Sequence, residues 1–147
     1  ASVAKRVPLD ERFPRWADQE WYVSLSTECA FDRIREPLVV HEFETHNRIT
    51  DDTTKLYEAH RLFVEKYLPL AAEYGPVMER KMRGWADFRA GKPLLRTGEY
   101  RMARRFLISA VRWYPLEPRF YAYAGSSLGG RWTHSAARSL NELVSSR

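Results

Sequence analysis

The second half of the chain has the apolar periodicity of packed α-helices, and glycine and proline divide it into segments. From Thr54 onward, apolar residues recur at intervals of three and four positions, the spacing of one helix face. Gly75–Pro76 interrupts the first helical segment. We predict that Gly91 and Pro93 end the second helical segment. The helices predicted after the break are Val77–Ala90, Glu99–Tyr114 and Phe120–Leu128, the last followed by Gly129–Gly130.

A weak repeat of 34 residues runs through this half. Gly125 follows Gly91 at that interval, and small, small, large, small and proline positions resemble a tetratricopeptide unit. These positions are Gly91, Ala103, Leu107, Ala110 and Pro115. One and a half repeats are too few for a solenoid, so the pattern predicts helical hairpins in an appendage.

The first 52 residues show shorter, mixed patterns. Trp21–Cys29 has helical spacing, and Asp18 before it is either the N-cap or an acid of the first turn. We interpret residues 1–7 as a short strand or its end. Phe31–Ile34 and Leu38–Phe43 have the composition of short strands. The predicted fold class is therefore α+β, with short strands and one helix followed by a mostly α-helical region.

Composition limits the classes of protein this chain can belong to. Its 147 residues suit one domain, or one domain with an appendage, and 44% hydrophobic residues argue against disorder. A mean hydropathy of −0.54 and the lack of an apolar run near 18 residues argue against a membrane-spanning helix. Cys29, the single cysteine, excludes an internal disulfide and a cysteine-rich zinc site.

Charge is distributed unevenly along the chain. Residues 1–75 carry 10 Lys and Arg against 14 Asp and Glu, whereas residues 76–147 carry 14 against 5. Such a basic half predicts an anionic partner, and a bilayer surface fits better than nucleic acid because no recognition motif accompanies the charge. A solvated helix surface is the alternative. The residues predicted to bind an anionic surface are Arg80, Lys81, Arg83, Arg101, Arg104 and Arg105.

Three segments together resemble a known family. D-E-R-F-P-R-W-A-D-Q-E-W-Y, then E-P-L-V-V, then H-N-R-I-T-D-D resemble the second half of a family 2 glycosyltransferase, whose fold is GT-A-like. The resemblance implies that residues 1–52 are the C-terminal part of a GT-A-like core. Residues 53–147 would then be a basic helical appendage with tetratricopeptide-like hairpins. It also implies that the chain begins halfway through a domain.

The resemblance implies roles for particular residues. Asp18 matches the aspartate of the family's acidic motif and would be the general base that deprotonates an acceptor hydroxyl. Trp16 and Trp21 would stack on a sugar, and Arg15 would contact phosphate. His46 would lie near a divalent metal, Mg or Mn, or near a diphosphate. Without the resemblance, Asp18 is simply a helix-capping acid and His46 a solvated loop histidine.

The chain departs from the family's pattern in one respect, and this departure leaves two hypotheses about its function. The nucleotide-binding half has no counterpart, because no Asp-x-Asp occurs and Asp51–Asp52 follows the acidic motif instead of preceding it. We expect the chain alone not to bind a nucleotide sugar well, so it would be a fragment, a split subunit or a reused relic. The leading hypothesis is the acceptor side of an inverting glycosyltransferase, cytoplasmic, with a membrane surface as a possible location. The alternative is a non-catalytic helical binding or scaffold module with a basic surface.

Overall fold

The computed structural model describes residues 2–32, 35–36 and 53–129, and all of its regular structure is helical. Helix α1 has five residues, and the other helices have between 11 and 21. The helices are α1 (Ser2–Arg6), α2 (Ala17–Glu28), α3 (Leu56–Glu73), α4 (Pro76–Arg96), α5 (Tyr100–Trp113) and α6 (Pro118–Leu128).

Helices α3 to α6 form a bundle in which successive helices alternate in direction. Helix α4 is its centre and packs against α3, α5 and α6. Leu94, Leu107 and Phe120 come from three different helices and are fully buried in one apolar core. Burying each side chain of this kind stabilises the fold by about 2 kcal/mol. Near this core the Nε2 atom of His60 on α3 lies 2.7 Å from a carboxylate oxygen of Asp87 on α4.

The prediction that Gly91 and Pro93 end the second helix is wrong, because α4 continues through both residues to Arg96. Gly91 serves packing instead: a Cβ placed there would lie 2.7 Å from Cγ of Leu107. A glycine at this point lets α4 approach α5 closely. Pro93 has no N–H to donate to the carbonyl of Arg89. Burial of Pro93 and its neighbours Leu94 and Leu95 in the core offsets that loss.

The predicted α+β fold class is also wrong, since the described residues contain helices and no strand. Ser2–Arg6, predicted as a strand, forms a helical turn, and the carbonyl of Val7 beyond it accepts a hydrogen bond from Trp21 Nε1 at 2.6 Å. Phe31 is not in a strand either, and its ring packs edge-on against Tyr22. A short apolar segment forms a β-strand only where a neighbouring strand pairs with its backbone N–H and C=O groups, and the described residues contain no such strand. The predicted strand Leu38–Phe43 and the boundary at residue 52 lie outside the described residues.

The other helix predictions are confirmed within a few residues at each end. The small and large positions of the 34-residue pattern also meet where α4 and α5 pack together. Ala103, Leu107 and Ala110 are fully buried on α5, and Gly91 faces Leu107 across the interface. The α4–α5 pair is thus an antiparallel hairpin, as the spacing predicts.

We expect the substitution Gly91→Ala to destabilise the bundle by about 1–3 kcal/mol, because the new methyl group would overlap Leu107 in a filled core. The free energy of unfolding from urea denaturation measures this cost. Gly125→Ala is the matched control, since that helical position is exposed and a Cβ there meets nothing within 4 Å. It should stabilise by up to about 1 kcal/mol. Equal effects from both substitutions would contradict the packing role of Gly91.

Candidate functional site

A buried carboxylate holds α2 against α3. The side chain of Glu20 is 1% exposed, and its Oε1 atom accepts hydrogen bonds from Tyr67 at 2.6 Å and from Ser24 and Lys66 at 2.7 Å. The Tyr67 hydroxyl also lies 2.7 Å from the Ser24 hydroxyl. Because Tyr67 and Lys66 belong to α3, these bonds fix the position of α2 on the bundle.

The same lysine ties the segment before α2 to α3. Lys66 Nζ donates to Asp10 at 2.8 Å, and Asp10 also accepts a bond from Arg12 at 2.7 Å. The Arg12 and Lys66 bonds hold the pKa of Asp10 well below its usual value. Burial raises the pKa of Glu20, but the bonds from Lys66, Ser24 and Tyr67 outweigh burial and lower it overall. Both carboxylates are therefore charged at neutral pH.

Trp16, immediately before α2, has a left-handed backbone with φ 64° and ψ 17°. This conformation costs a non-glycine residue about 1–2 kcal/mol, so neighbouring contacts must hold it in place. The indole packs edge-on against Phe63 at 6.0 Å and against His60 at 6.4 Å, between ring centroids. On another side, the guanidinium of Arg89 lies 5.5 Å from the centre of the Trp16 ring system. Trp16 thus connects the start of α2 to both α3 and α4.

An open cleft of about 690 Å³ lies between the start of α2 and one face of α4. Its volume is within the range of small-molecule sites. Aromatic rings and cations make up most of its walls. The lining residues are Arg15, Trp16, Asp18, Gln19, Trp85, Phe88, Arg89, Lys92, Pro93 and Arg96.

The described residues make the cleft electropositive, since four of those that line it are cationic and one, Asp18, is a carboxylate. Lys92 and Arg96 are exposed, whereas Arg89 is half-buried. Burial lowers the pKa of Arg89, and the charge of Asp18 opposes this effect. An arginine stays protonated in proteins, so Arg89 is a fixed positive charge with reduced hydration. Such a charge attracts an anion more strongly than one in open water does.

A second, smaller cavity of about 300 Å³ adjoins the cleft and shares Trp16, Gln19, Trp85 and Arg89 with it. Its remaining walls, Phe63, Met82 and Ala86, are apolar. The Oε1 atom of Gln19 is buried and has no hydrogen-bond partner among the described residues. Buried polar atoms in proteins are nearly always paired. A ligand hydroxyl entering the cleft could supply the missing donor.

The structure brings together three of the four residues that the family resemblance assigns to catalysis and substrate binding. Arg15, Trp16 and Asp18 all line the cleft. Asp18 is exposed and lies in the first turn of α2, where a negative charge stabilises the helix dipole. Trp21 is not part of the cleft lining, and its indole N–H is bonded to the Val7 carbonyl. His46 lies outside the described residues.

Comparison of the chain with protein-family models, with curated proteins and with solved structures finds no match in any of the three.

The described residues do not provide a site for the divalent metal that the resemblance implies. Nowhere among them do three His, Cys, Asp or Glu side chains come close enough together to hold a metal ion. Among the described residues that line the cleft, Asp18 is the only acidic one, and four of the others are cationic. This part of the chain therefore offers no carboxylate cluster of the kind that magnesium or manganese prefers.

The six residues predicted to bind an anionic surface lie at opposite ends of the bundle. Arg80, Lys81 and Arg83 lie near the start of α4, whereas Arg101, Arg104 and Arg105 lie in the first turns of α5, beside the other end of α4. Arg104 donates hydrogen bonds at 3.0 Å to the carbonyls of Ser127 and Leu128, so it holds the end of α6. No helix in the described ranges is both long and apolar enough to span a bilayer.

Arg89, Lys92 and Arg96 enter the sequence prediction only through the positive charge of residues 76–147, with no connection to Asp18. The spacing of these residues indicates a shared surface, because positions 85, 89, 92 and 96 lie on one face of a helix. That face presents Trp85 and three cations in a row. These four residues share one helix face only if α4 continues beyond Gly91, whereas the sequence predicts that the helix ends there. No pattern in the sequence indicates that Gln19 lines the cleft.

We expect Lys66→Met to destabilise the protein by about 2–3 kcal/mol at pH 7, because it leaves the Glu20 charge buried without its cationic partner. A carboxyl with a lowered pKa stabilises the fold above its unfolded value of about 4.3. This stability is lost as pH falls through the folded-state pKa. Protonating Glu20 removes the unpaired charge, so the cost of Lys66→Met should shrink between pH 7 and pH 4. Urea denaturation at both pH values measures it.

Arg61→Met is the matched control for this experiment. Arg61 lies on the same helix and pairs with Glu65, but both side chains are more than half exposed. An exposed pair of this kind contributes about 0.5 kcal/mol or less. A cost for Lys66→Met that is independent of pH would show that Lys66 acts by packing alone, against the role assigned to the charge.

Proposed function

We propose that the chain is a helical binding module whose cleft takes a phosphate monoester bearing a sugar ring or a short apolar group. The observation that carries this proposal is the meeting of Arg15 and Trp16 with Arg89, Lys92 and Arg96 around one cavity. The two ligand types share their phosphate chemistry and differ only in the part beyond it.

The cationic side chains that line the cleft are the reason for proposing a phosphate group in the ligand. Arg89 is positioned by its contact with the Trp16 ring and by its partial burial, so little side-chain freedom is lost when it binds an oxyanion. Lys92 and Arg96 reach the same cleft from successive turns of α4. Guanidinium groups bind phosphate through two parallel hydrogen bonds, and each charged bond contributes about 1.5–3 kcal/mol.

The aromatic and apolar walls of the cleft and of the smaller cavity are the reason for proposing a sugar ring or an apolar group attached to the phosphate. Trp16 and Trp85 present indole surfaces in the cleft, and the adjoining cavity is lined mainly by Phe63, Met82 and Ala86. Flat aromatic surfaces stack on the apolar faces of sugar rings, and the smaller cavity would accept an apolar group. A hydroxyl beside Gln19 would satisfy its buried oxygen.

We expect Arg89→Ala to weaken binding of glucose 1-phosphate by about 10- to 100-fold, the loss of one charged hydrogen-bonding group. Isothermal titration calorimetry of the chain measures it, with inorganic phosphate, glucose and geranyl phosphate as comparison ligands. Tight binding of glucose 1-phosphate alone would assign a sugar phosphate, and tight binding of geranyl phosphate alone would assign an apolar one. Raising the salt concentration should weaken binding of each phosphate.

Arg80→Ala is the control for charge, since Arg80 is an exposed arginine of the same helix outside the cleft. It should change affinity less than twofold. Lys92→Ala, at an exposed position, tests the cleft without disturbing the contact with Trp16. Failure of the wild-type chain to bind any of these phosphates, or equal losses from Arg80→Ala and Arg89→Ala, would overturn the proposal.

A second candidate function, glycosyl transfer, is favoured by the position of Asp18 at the cleft beside Arg15 and Trp16. In this proposal the chain is the acceptor side of an inverting glycosyltransferase. The Asp18 carboxylate takes the proton of an acceptor hydroxyl as that oxygen bonds to the anomeric carbon of the donor, and the bond from that carbon to phosphate breaks, so that the nucleotide leaves with the electron pair. Its exposure leaves room for an acceptor to approach. The nucleotide sugar would bind to a separate donor domain.

We expect Asp18→Asn to lower glycosyl transfer by about 10²- to 10⁴-fold in the chain joined to its donor-binding domain, because the amide cannot accept the proton. Phosphate binding should change less than threefold, since asparagine keeps the size of the aspartate side chain. Transfer assays with a labelled nucleotide sugar give the rate, and calorimetry gives the binding. A wild-type rate of transfer would rule out Asp18 as the base and leave the binding proposal standing.

A further inference from the structure

The α3–α4 turn and the α5–α6 connection lie at the same end of the bundle. Helices α3 to α6 alternate in direction, so residues 74–75 and 114–117 come together beyond the start of α4 and the end of α5. A cation–aromatic contact links the two segments: the guanidinium of Arg83 lies 4.6 Å from the centre of the Trp113 ring system. We call this end, residues 74–83 and 112–119, the tip.

The tip carries a concentration of large apolar side chains that the fold does not bury. Tyr74 is 73% exposed, Leu116 is 74% exposed and Val77 is 66% exposed, with Met78 and Trp113 also exposed beside them. Scattered apolar residues on a surface need no explanation, but a group of this kind in one place marks an interaction site. Tyr74, Val77 and Met78 come from the first turn of α4 and the residue pair before it, and Leu116 comes from the opposite connection.

The charges around these side chains are mainly positive. Arg80, Lys81 and Arg112 are exposed and make no ion pair with any described residue. Two of the acidic residues are already paired: Glu79 with Arg83 at 3.3 Å, and Glu117 with Arg119 at 3.6 Å. Among the described residues of this region, Glu73 is the remaining acidic one and is exposed. Three cations without an ion pair thus stand against one carboxylate, and the net charge offered to a partner is positive.

We propose that the tip docks on an anionic lipid bilayer. Val77, Met78 and Leu116 enter the boundary between headgroups and acyl chains, and Trp113 and Tyr74 lie at headgroup level, where amphipathic rings are favoured. Arg80, Lys81 and Arg112 lie among the lipid phosphates. Each such cation strengthens attachment by roughly fivefold.

The shape of the tip favours a bilayer over a protein partner. The exposed apolar side chains stand on two short segments, the start of α4 and the α5–α6 connection, and a fluid surface can close around both. A stable protein interface needs about 800 Å² from each partner, with a continuous and well-packed centre. The proposal concerns a surface separate from the cleft, whose cations Arg89, Lys92 and Arg96 lie in the second half of α4.

Vesicle co-sedimentation tests the proposal. The wild-type chain should bind vesicles of 30% phosphatidylglycerol in phosphatidylcholine at least tenfold more strongly than vesicles of phosphatidylcholine alone, and salt should weaken the binding. Leu116→Glu and Val77→Glu should each lower binding at least tenfold. Arg80→Glu should lower binding to the anionic vesicles only. These positions are exposed, so the variants should fold, and their helical circular dichroism should match that of the wild type.

The other end of the bundle supplies matched controls. Leu128→Glu replaces a similarly exposed leucine at the end of α6, and Arg105→Glu reverses an exposed charge near the start of α5. Each should change vesicle binding less than twofold. Equal binding to neutral and anionic vesicles, no binding at all, or wild-type binding by Leu116→Glu would overturn the proposal. It would also be overturned if sedimentation velocity showed self-association that Leu116→Glu abolishes, since a second copy would then cover the tip.

Discussion

The candidate site depends on one buried carboxylate. Glu20 is almost completely shielded from water, and an ion in that position is tolerated only when it is paired and hydrogen-bonded. Lys66 and Tyr67 of α3 provide those partners, so α2 has one favourable position on the bundle. Since one wall of the cleft is the start of α2, the cleft exists only in that position. An apolar contact would have held α2 less specifically, because such contacts tolerate sliding and rotation.

Helix α4 serves three purposes along its length. Its first turns contribute to the tip, its glycine face packs on α5, and the stripe of Trp85, Arg89, Lys92 and Arg96 faces the cleft. Its neighbours make this possible, because α3, α5 and α6 cover the apolar part of its circumference. The basic stripe is left uncovered on the side that α2 approaches. Much of the excess charge of the second half thus lies on one helix.

Local patterns were enough to predict most of the helical part of the fold. The periodicity after Thr54 predicts α3, α5 and α6, since each has a buried stripe and ends near a proline or glycine. Gly91 was misread because the same residue can end a helix or let two helices approach, and only the position of Leu107 distinguishes these uses. The prediction of a strand at residues 1–7 is wrong because so short a segment has too little periodicity to separate a strand from a helical turn.

The candidate site was partly accessible from the sequence. The family resemblance directed attention to Arg15, Trp16 and Asp18, which do lie together, but their nearest functional neighbours are about 70 residues away on α4. A pattern within one segment cannot show such a contact. The left-handed backbone of Trp16 was equally hidden, because glycine and asparagine are the usual signals of that conformation and tryptophan is not.

The relative positions of the cleft and the tip constrain the ligand. Val77 and Lys92 are fifteen residues apart on α4, which corresponds to about 22 Å along the helix axis. If α4 stands upright on a bilayer, a phosphate in the cleft is far from the lipid headgroups. A long lipid chain attached to that phosphate would cross the gap in water, at a cost of about 25 cal/mol for each Å² of apolar surface left exposed. Membrane docking through the tip therefore favours a water-soluble sugar phosphate in the cleft over a lipid-linked one.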